Sequence, residues 1–264
     1  MATATLDRPT FGWLLRAWRV QRRVSQLVLA SQAEVSPRHV SFLETGRARP
    51  SREMVLHLAE HLEVPLRERN ALLTAAGFAP AFDERPLEDP ELAPAREAVE
   101  LILSSHEPYP AIVVDRHWNL IAGNSAITMF TDGLPGWFLD PPVNVIRAST
   151  HPDGLAKRIL NLDEYGAHLI GRLRRQVEIT ADPALASLLA EVRSYPGIVE
   201  VPGIEPRGAA LLCMRLRPVA DGDPVLSFFS TIATFGTPAD ITLDELAIEA
   251  FFPADDTTRA AFAP

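Results

Sequence analysis

Apolar positions in the first part of the chain recur every three or four residues, in short blocks separated by capping residues. Phe11, Leu14, Leu15 and Trp18 make one helical stripe, opened by Thr10 as an N-cap. Ser25 can cap a second helix, SQLVLASQA, which buries Leu29 with either Ala30 or Ala33. A turn at Glu34-Val35 leads to Ser36-Pro37, where serine at the N-cap and proline at the first helical position start a third helix. That helix runs to about Glu44 and stops at Thr45-Gly46, because glycine takes the left-handed conformation that terminates a helix. Ser51 caps a fourth helix with Val55, Leu58 and Leu62 inward, and Pro65 opens a fifth that ends at Gly77.

The pattern then changes. GFAPAFDERPLEDPELAPA, residues 77–95, holds four prolines and five acidic residues. Such a run cannot pack as a regular element and reads as a semi-rigid tether, either transmitting strain or acting as a passive spacer. Residues 91–105 make a helix with Ala98, Leu101 and Ile102 to pack. Ala111–Val114 is a strand, Asp115-Arg116 a turn, Trp118–Ala122 a second strand, and Asn124 can cap the short helix SAITMF. Leu155–Ile159, Tyr165–Val177 and Pro183–Arg193 are helical. Ala209–Leu216 and Val225–Phe235 form strands joined at Asp221-Gly222-Asp223, Leu246–Phe252 is a further strand, and a short helix finishes the chain. The prediction is an α+β protein: an all-α five-helix domain over 1–78, a linker over 79–95, and over 96–264 a domain with an antiparallel sheet and helices.

Two short helices joined by a three- or four-residue turn are the core of a helix-turn-helix, whose second helix enters the major groove of DNA. Val40 and Leu43 must face the core of the third helix, which turns Arg38, Ser41 and Phe42 outward. Arg38 suits a bidentate contact to guanine, Phe42 a thymine methyl, and His39 at the edge a phosphate or a base. The loop that follows carries Arg47, Arg49 and Arg52, which suit backbone contacts. Gln26, near the start of the second helix, and Ser36, at the start of the third, complete the expected DNA face. A two-fold dimer on a palindromic operator with half-sites about one helical turn apart is the expected mode of binding.

Charge sharpens this picture. The net charge is −9, but residues 1–78 carry 11 arginines against 7 acidic residues, while the remainder carries 14 basic against 27 acidic ones. A basic head on an acidic body confines phosphate contact to the head. Hydrophobic residues make up 47% and charged ones 22%, which excludes a disordered chain. The one cysteine, Cys213, cannot form an internal disulfide and reads as core; Lys157 reads as surface. No apolar run of about 18 residues would span a bilayer, no signal peptide opens the chain, and a cytoplasmic, non-membrane protein is expected. No metal spacing, nucleophile elbow, phosphate loop or H-E-x-x-H is present: His106-Glu107 is followed by Pro-Tyr-Pro. A self-cleaving Ser–Lys pair is equally absent, since Lys157 lies eight residues from Ser149. The chain is therefore expected to be neither an enzyme nor a cofactor protein.

Residues 25–46, SQLVLASQAEVSPRHVSFLETG, resemble the phage-repressor-like (Cro/C1, Xre-type) helix-turn-helix family at Gln26, Ala30, Ser36, Val40, Leu43-Glu44 and Gly46, followed by Arg47 and Pro50-Ser51. Glu34 departs from the family, which often has glycine there, and implies a slightly different turn. VVDRHWNLIAGNSA and LSFFSTIATFGTPADITLDELAIEAFFPAD resemble the ligand-binding domain of MmyB-like transcription regulators; with GFAPAFDERPLEDPELAP, this resemblance covers nearly the whole chain. It implies a PAS-like pocket for a small apolar or fatty-acid-like molecule. From the residues themselves, Trp118 would cover the sheet, and Met129, Phe130, Trp137, Phe138, Phe228 and Phe229 either line such a cavity or form plain core. Tyr165, His168 and Arg172 share a helix face that either anchors a ligand carboxylate or is an ordinary solvated face. A cavity of roughly several hundred Å³ would favour a ligand sensor, and a filled core a body used only for dimerisation or partner contact.

Overall fold

The computed structural model describes residues 9–198, 211–220, 222–236 and 238–263, and these fall into two compact units. The first holds five helices: α1 (Phe11–Gln21), α2 (Gln26–Gln32), α3 (Pro37–Glu44), α4 (Arg52–His61) and α5 (Leu66–Ala75). The four helices with hydroxyl N-caps start where the pattern predicts. Thr10, Ser25, Ser36 and Ser51 each accept a hydrogen bond from the backbone N–H three residues on, at 3.1–3.3 Å. Leu29, Ala30 and Ala33 are all buried, so α2 uses both alternatives, and Leu15, Val40, Leu43, Val55 and Leu58 close the core. Gly46 and Gly77 take the left-handed conformation expected of terminators.

Glu34 also has a positive φ, of 53°. The turn before α3 is thus the left-handed one that glycine would make, and the different turn expected from the missing glycine is not needed: glutamate adopts it at a steric cost. Gly12 has a separate reason to be glycine. A Cβ there would lie 2.6 Å from the backbone oxygens of Leu43 and Glu44, so α1 and the end of α3 approach backbone to backbone.

The unit does not stop at Gly77. Phe78 and Ala81 pack on its core. Asn70 Oδ1 accepts from the N–H groups of Ala81 and Phe82, and Asn70 Nδ2 donates to Phe82 O. The start of the expected tether, through Phe82, is therefore pinned to α5 by its own backbone, which a tally of prolines cannot reveal. The unit also takes in a segment from far along the chain that ends in α11 (Ile241–Asp244). Ile241 N–H donates to Asp83 O, Thr242 Oγ1 donates to Arg85 O, and Arg85 Nη1 reaches the buried Asp240 carboxylate at 3.0 Å.

The second unit contains α6 (Ala93–Ser105), β1 (Ala111–Val114), β2 (Leu120–Gly123), α7 (Thr128–Thr131), α8 (Val145–Thr150), α9 (Leu162–Thr180), α10 (Pro183–Arg193), β3 (Met214–Leu216), β4 (Leu226–Ala233), β5 (Ala247–Pro253) and α12 (Asp256–Ala261). Its sheet is antiparallel throughout, in the order β2-β1-β5-β4-β3. The chain is an α+β protein. Ile112, Val114, Met214, Leu216, Leu226, Phe228 and Phe251 share a core with Leu169, Ile170 and Leu173 of α9 and Leu185, Leu188 and Val192 of α10.

Several expectations shift. The second strand begins at Leu120, because Asp115 Oδ1 accepts from the N–H groups of both His117 and Asn119 and holds Trp118 in a turn at φ 68°. Helix α6 buries Val99 and Leu103 and leaves Leu101 and Ile102 exposed. Asn124 precedes the short helix, but its side chain bonds Ala111 N, Leu103 O and Tyr109 O instead of capping it. Cys213 is only half-buried, whereas Lys157 is exposed as expected. The strand expected from Ala209 begins only at Met214, as β3, and residues 211–213 are irregular; residues 209, 210 and 221 lie outside the described residues.

Candidate DNA face and ligand cavity

On α3, Val40 and Leu43 point into the core, while Arg38 is exposed and His39, Ser41 and Phe42 are half-buried at the surface. The Phe42 ring carries two cations: the Arg38 guanidinium carbon lies 5.1 Å from its centroid and that of Arg47 lies 5.9 Å away. Cation–π contact with one ring gathers a residue of α3 and a residue of the following loop onto one face. Arg49 and Arg52 are exposed beyond it, and Ser36 is occupied as the cap of α3.

Several arginines elsewhere in this unit are engaged. Arg22 donates to the carbonyls of Leu62 and Glu63, Arg69 to Val64, and Arg67 to the Glu84 carboxylate. Arg38, Arg47 and Arg49 have no carboxylate partner among the described residues. Exposed arginines without a carboxylate partner among the described residues thus stand at α3 and its loop, where a groove-binding helix needs them, and also at Arg16 and Arg23.

Beneath that face, Arg19 of α1 holds the Glu44 carboxylate through Nε and Nη2 at 2.5 and 3.0 Å, and Gln26 Nε2 donates to the same group at 2.7 Å. Burial alone would raise the Glu44 pKa, but these hydrogen bonds outweigh it and hold the carboxyl below its ordinary value. One N–H of Gln26 is thus committed to positioning α3 against α1 and α2. Glu44 and Arg19 were not among the expected site residues. Glu44 is the one acid of α3, but Arg19 is one of four arginines at the end of α1, so the pairing is readable only once the helices are docked.

In the second unit, a narrow half-enclosed cavity of about 70 Å³ opens above the sheet. Ile112, Leu120, Phe130, Leu155, Met214 and Phe251 form much of its wall, and its hydroxyl groups are those of Thr131, Ser149 and Tyr165. The volume falls below the range typical of small-molecule pockets, so an occupant of any length has to displace side chains that now fill the space.

Of the residues expected at a ligand, Phe130 and Tyr165 line this cavity. Phe228 lies beside it in the core, edge-on to Phe130. Met129 packs at the margin, Trp137 is exposed and stacks on the buried Phe138, and Phe229 stacks on Phe252 on the opposite sheet face. Trp118 is buried; its indole N–H donates to Gln176 Oε1 at 2.6 Å and the Arg172 guanidinium carbon lies 4.5 Å from its ring centroid. Arg172 already has a carboxylate, that of Glu249 on β5, at 3.3 Å. Glu249 is buried and also accepts from Ser230 Oγ. His168 lies further out on the same helix, where partial burial and the Arg172 charge lower its pKa. Burial pushes the Tyr165 phenol well above its ordinary value, and the Glu249 charge adds to the shift. Sequence reasoning missed Glu249, although a single acid within AIEAFFP, at an inward-facing position of the alternation, is a visible signal.

The family model described as MmyB-like transcription regulator ligand binding domain matches residues 95–263, and that of a helix-turn-helix domain matches residues 10–72. No curated protein matches the chain.

Proposed function

Because the chain belongs to the MmyB-like transcription regulator ligand-binding domain family over residues 95–263 and carries a helix-turn-helix domain over residues 10–72, we propose that it is a sequence-specific DNA-binding regulator whose hold on its operator is set by a small apolar or fatty-acid-like molecule. The observation that carries the DNA half is the face of α3, where Arg38 and Arg47 converge on Phe42 without carboxylate partners among the described residues. Arg38 reads a guanine edge, with Phe42 against a neighbouring thymine methyl and His39 and Ser41 beside them. Arg47, Arg49 and Arg52 follow the phosphates, with Gln26 and Ser36 at the helix starts.

The head is of the Xre type and acts as a homodimer on a palindrome, in the cytoplasm with the DNA it reads. The antiparallel sheet, packed against helices and bordering the cavity, supports a PAS-like sensor. Ligand entry shifts the balance between DNA-competent and incompetent states. Among the described residues, no helix is long and apolar enough to cross a membrane.

A second reading has its own support. The cavity is small, and Leu101 and Ile102 leave an apolar strip on α6. These features fit a body used only for dimerisation or partner contact. Native mass spectrometry of the purified chain, repeated after incubation with a lipid extract, separates the two: a retained small molecule supports the sensor, and no bound mass in either sample supports the dimerisation body. A footprint covering two related half-sites supports the dimer, and an isolated half-site contradicts it.

A further inference from the structure

The cavity's sheet wall ends at an ion pair. Ile112 and Phe251 line the cavity. Glu249 pairs directly with Ile112 across β1 and β5, and lies two residues from Phe251 on the same side of the strand. A buried carboxylate therefore continues the apolar wall. Arg172 neutralises it and is itself fixed by the Trp118 ring, yet Arg172 Nη2 is buried with no hydrogen-bond partner among the described residues. Tyr165, two turns earlier on α9, lines the cavity, and its hydroxyl is likewise without a hydrogen-bond partner among the described residues. Arginine only donates, and a phenol donates readily, so these two side chains can take a further hydrogen-bond acceptor.

No charged side chain lines the cavity among the described residues, and Arg172, the cation beside Tyr165 on α9, already faces Glu249. A carboxylate entering the slot would be an uncompensated anion in an apolar wall, facing a second anion. An alcohol, ester or amide oxygen would accept from Tyr165 at no such cost.

Resting on the ligand-sensing reading, we propose that the site takes an uncharged amphiphile, an apolar chain ending in one oxygen acceptor seated at Tyr165, and that the Arg172–Glu249 pair excludes the corresponding free acid. This narrows the fatty-acid-like class to its neutral members.

The test is calorimetric titration of the full chain at neutral pH with lauryl alcohol, methyl laurate and laurate. The alcohol and the ester are expected to bind, and laurate at least about tenfold more weakly. Tyr165→Phe should weaken the alcohol by about tenfold. Glu249→Gln keeps an acceptor for Ser230 and Arg172 but releases the Arg172 charge, and should move the preference towards laurate. Laurate binding as tightly as the alcohol overturns the exclusion and leaves ligand sensing standing. Alcohol binding that ignores Tyr165→Phe overturns the seat. If none of the three binds, the molecule retained from a lipid extract decides: a neutral one supports the proposal, a charged one overturns it, and no retained molecule overturns the ligand-sensing reading with it.

Discussion

The Arg19 guanidinium closes on the Glu44 carboxylate through two hydrogen bonds of 2.5 and 3.0 Å, tying the last turn of α1 to the last residue of α3. Both side chains are largely buried, so the pair fixes the helix that carries Arg38 and Phe42 with little help from solvent. Its geometry is two-pronged, and Gln26 takes up a further lone pair. A charge-assisted arrangement of this kind orients as well as stabilises.

Glu44→Gln should therefore destabilise the head by about 1.5–3 kcal/mol at neutral pH. The folded pKa of Glu44 is depressed, so the stabilisation is fully present above its ordinary value of 4.5 and is lost as pH falls through the lower folded value. Urea unfolding of both forms across that range should show the gap closing on acidification. A gap that stays constant would mean that the charge of Glu44 contributes nothing.

Glu34 sits at φ 53° with no glycine to relieve it. Glu34→Gly should raise stability by up to about 1 kcal/mol, the left-handed penalty of glutamate less the extra chain entropy that glycine loses on folding. The thermal midpoint checks it, and a lower midpoint would assign the Glu34 side chain a stabilising contact.

Gly12→Ala should cost about 1–3 kcal/mol, because the added methyl meets backbone carbonyls of α3 that cannot rotate away. DNA affinity should fall as well, since the displaced element carries the DNA face. An alanine variant with unchanged stability would show that α1 and α3 can separate freely.

Asp240 accepts from Arg85 Nη1 and from Thr242 N–H while buried. Asp240→Ala should cost about 1.5–3 kcal/mol and release the segment ending in α11 from residues 83–85. Amide exchange at Ile241, whose N–H bonds Asp83 O, should accelerate relative to that of Leu15 in the α1 core. Equal protection before and after the change would contradict the pinning.

The head was legible because its signals are local. Hydroxyl caps, a proline at a first turn and glycines past helix ends act within one turn of the chain, and four caps stand where the sequence puts them. The outward set Arg38, Ser41 and Phe42 followed from the inward pair Val40 and Leu43 by helical geometry alone. Where reading failed, a long-range partner or a competing local bond decided. Helix α6 offers two apolar faces, and packing, not periodicity, chose Val99 and Leu103. Trp118 suits a strand, but the Asp115 carboxylate captured two backbone N–H groups and turned the chain there. The buried partner of Arg85, Asp240, lies 155 residues away, and nothing near Arg85 marks it. Arg172 was readable as a carboxylate anchor; that its carboxylate is Glu249, from the same chain, emerges only from the register of β1 against β5.

The most direct test of DNA-reading by α3 is selection of binding sequences from a random duplex pool, run with the full chain and with its Arg38→Ala and Arg49→Ala variants at two salt concentrations. The unmodified chain is expected to enrich a two-fold motif. Arg38→Ala should lose preference at one base pair in each half-site, at a cost of about 1–3 kcal/mol, while Arg49→Ala weakens all sequences alike and flattens the salt dependence. No enriched motif, or identical behaviour of the two variants, would contradict DNA-reading by α3.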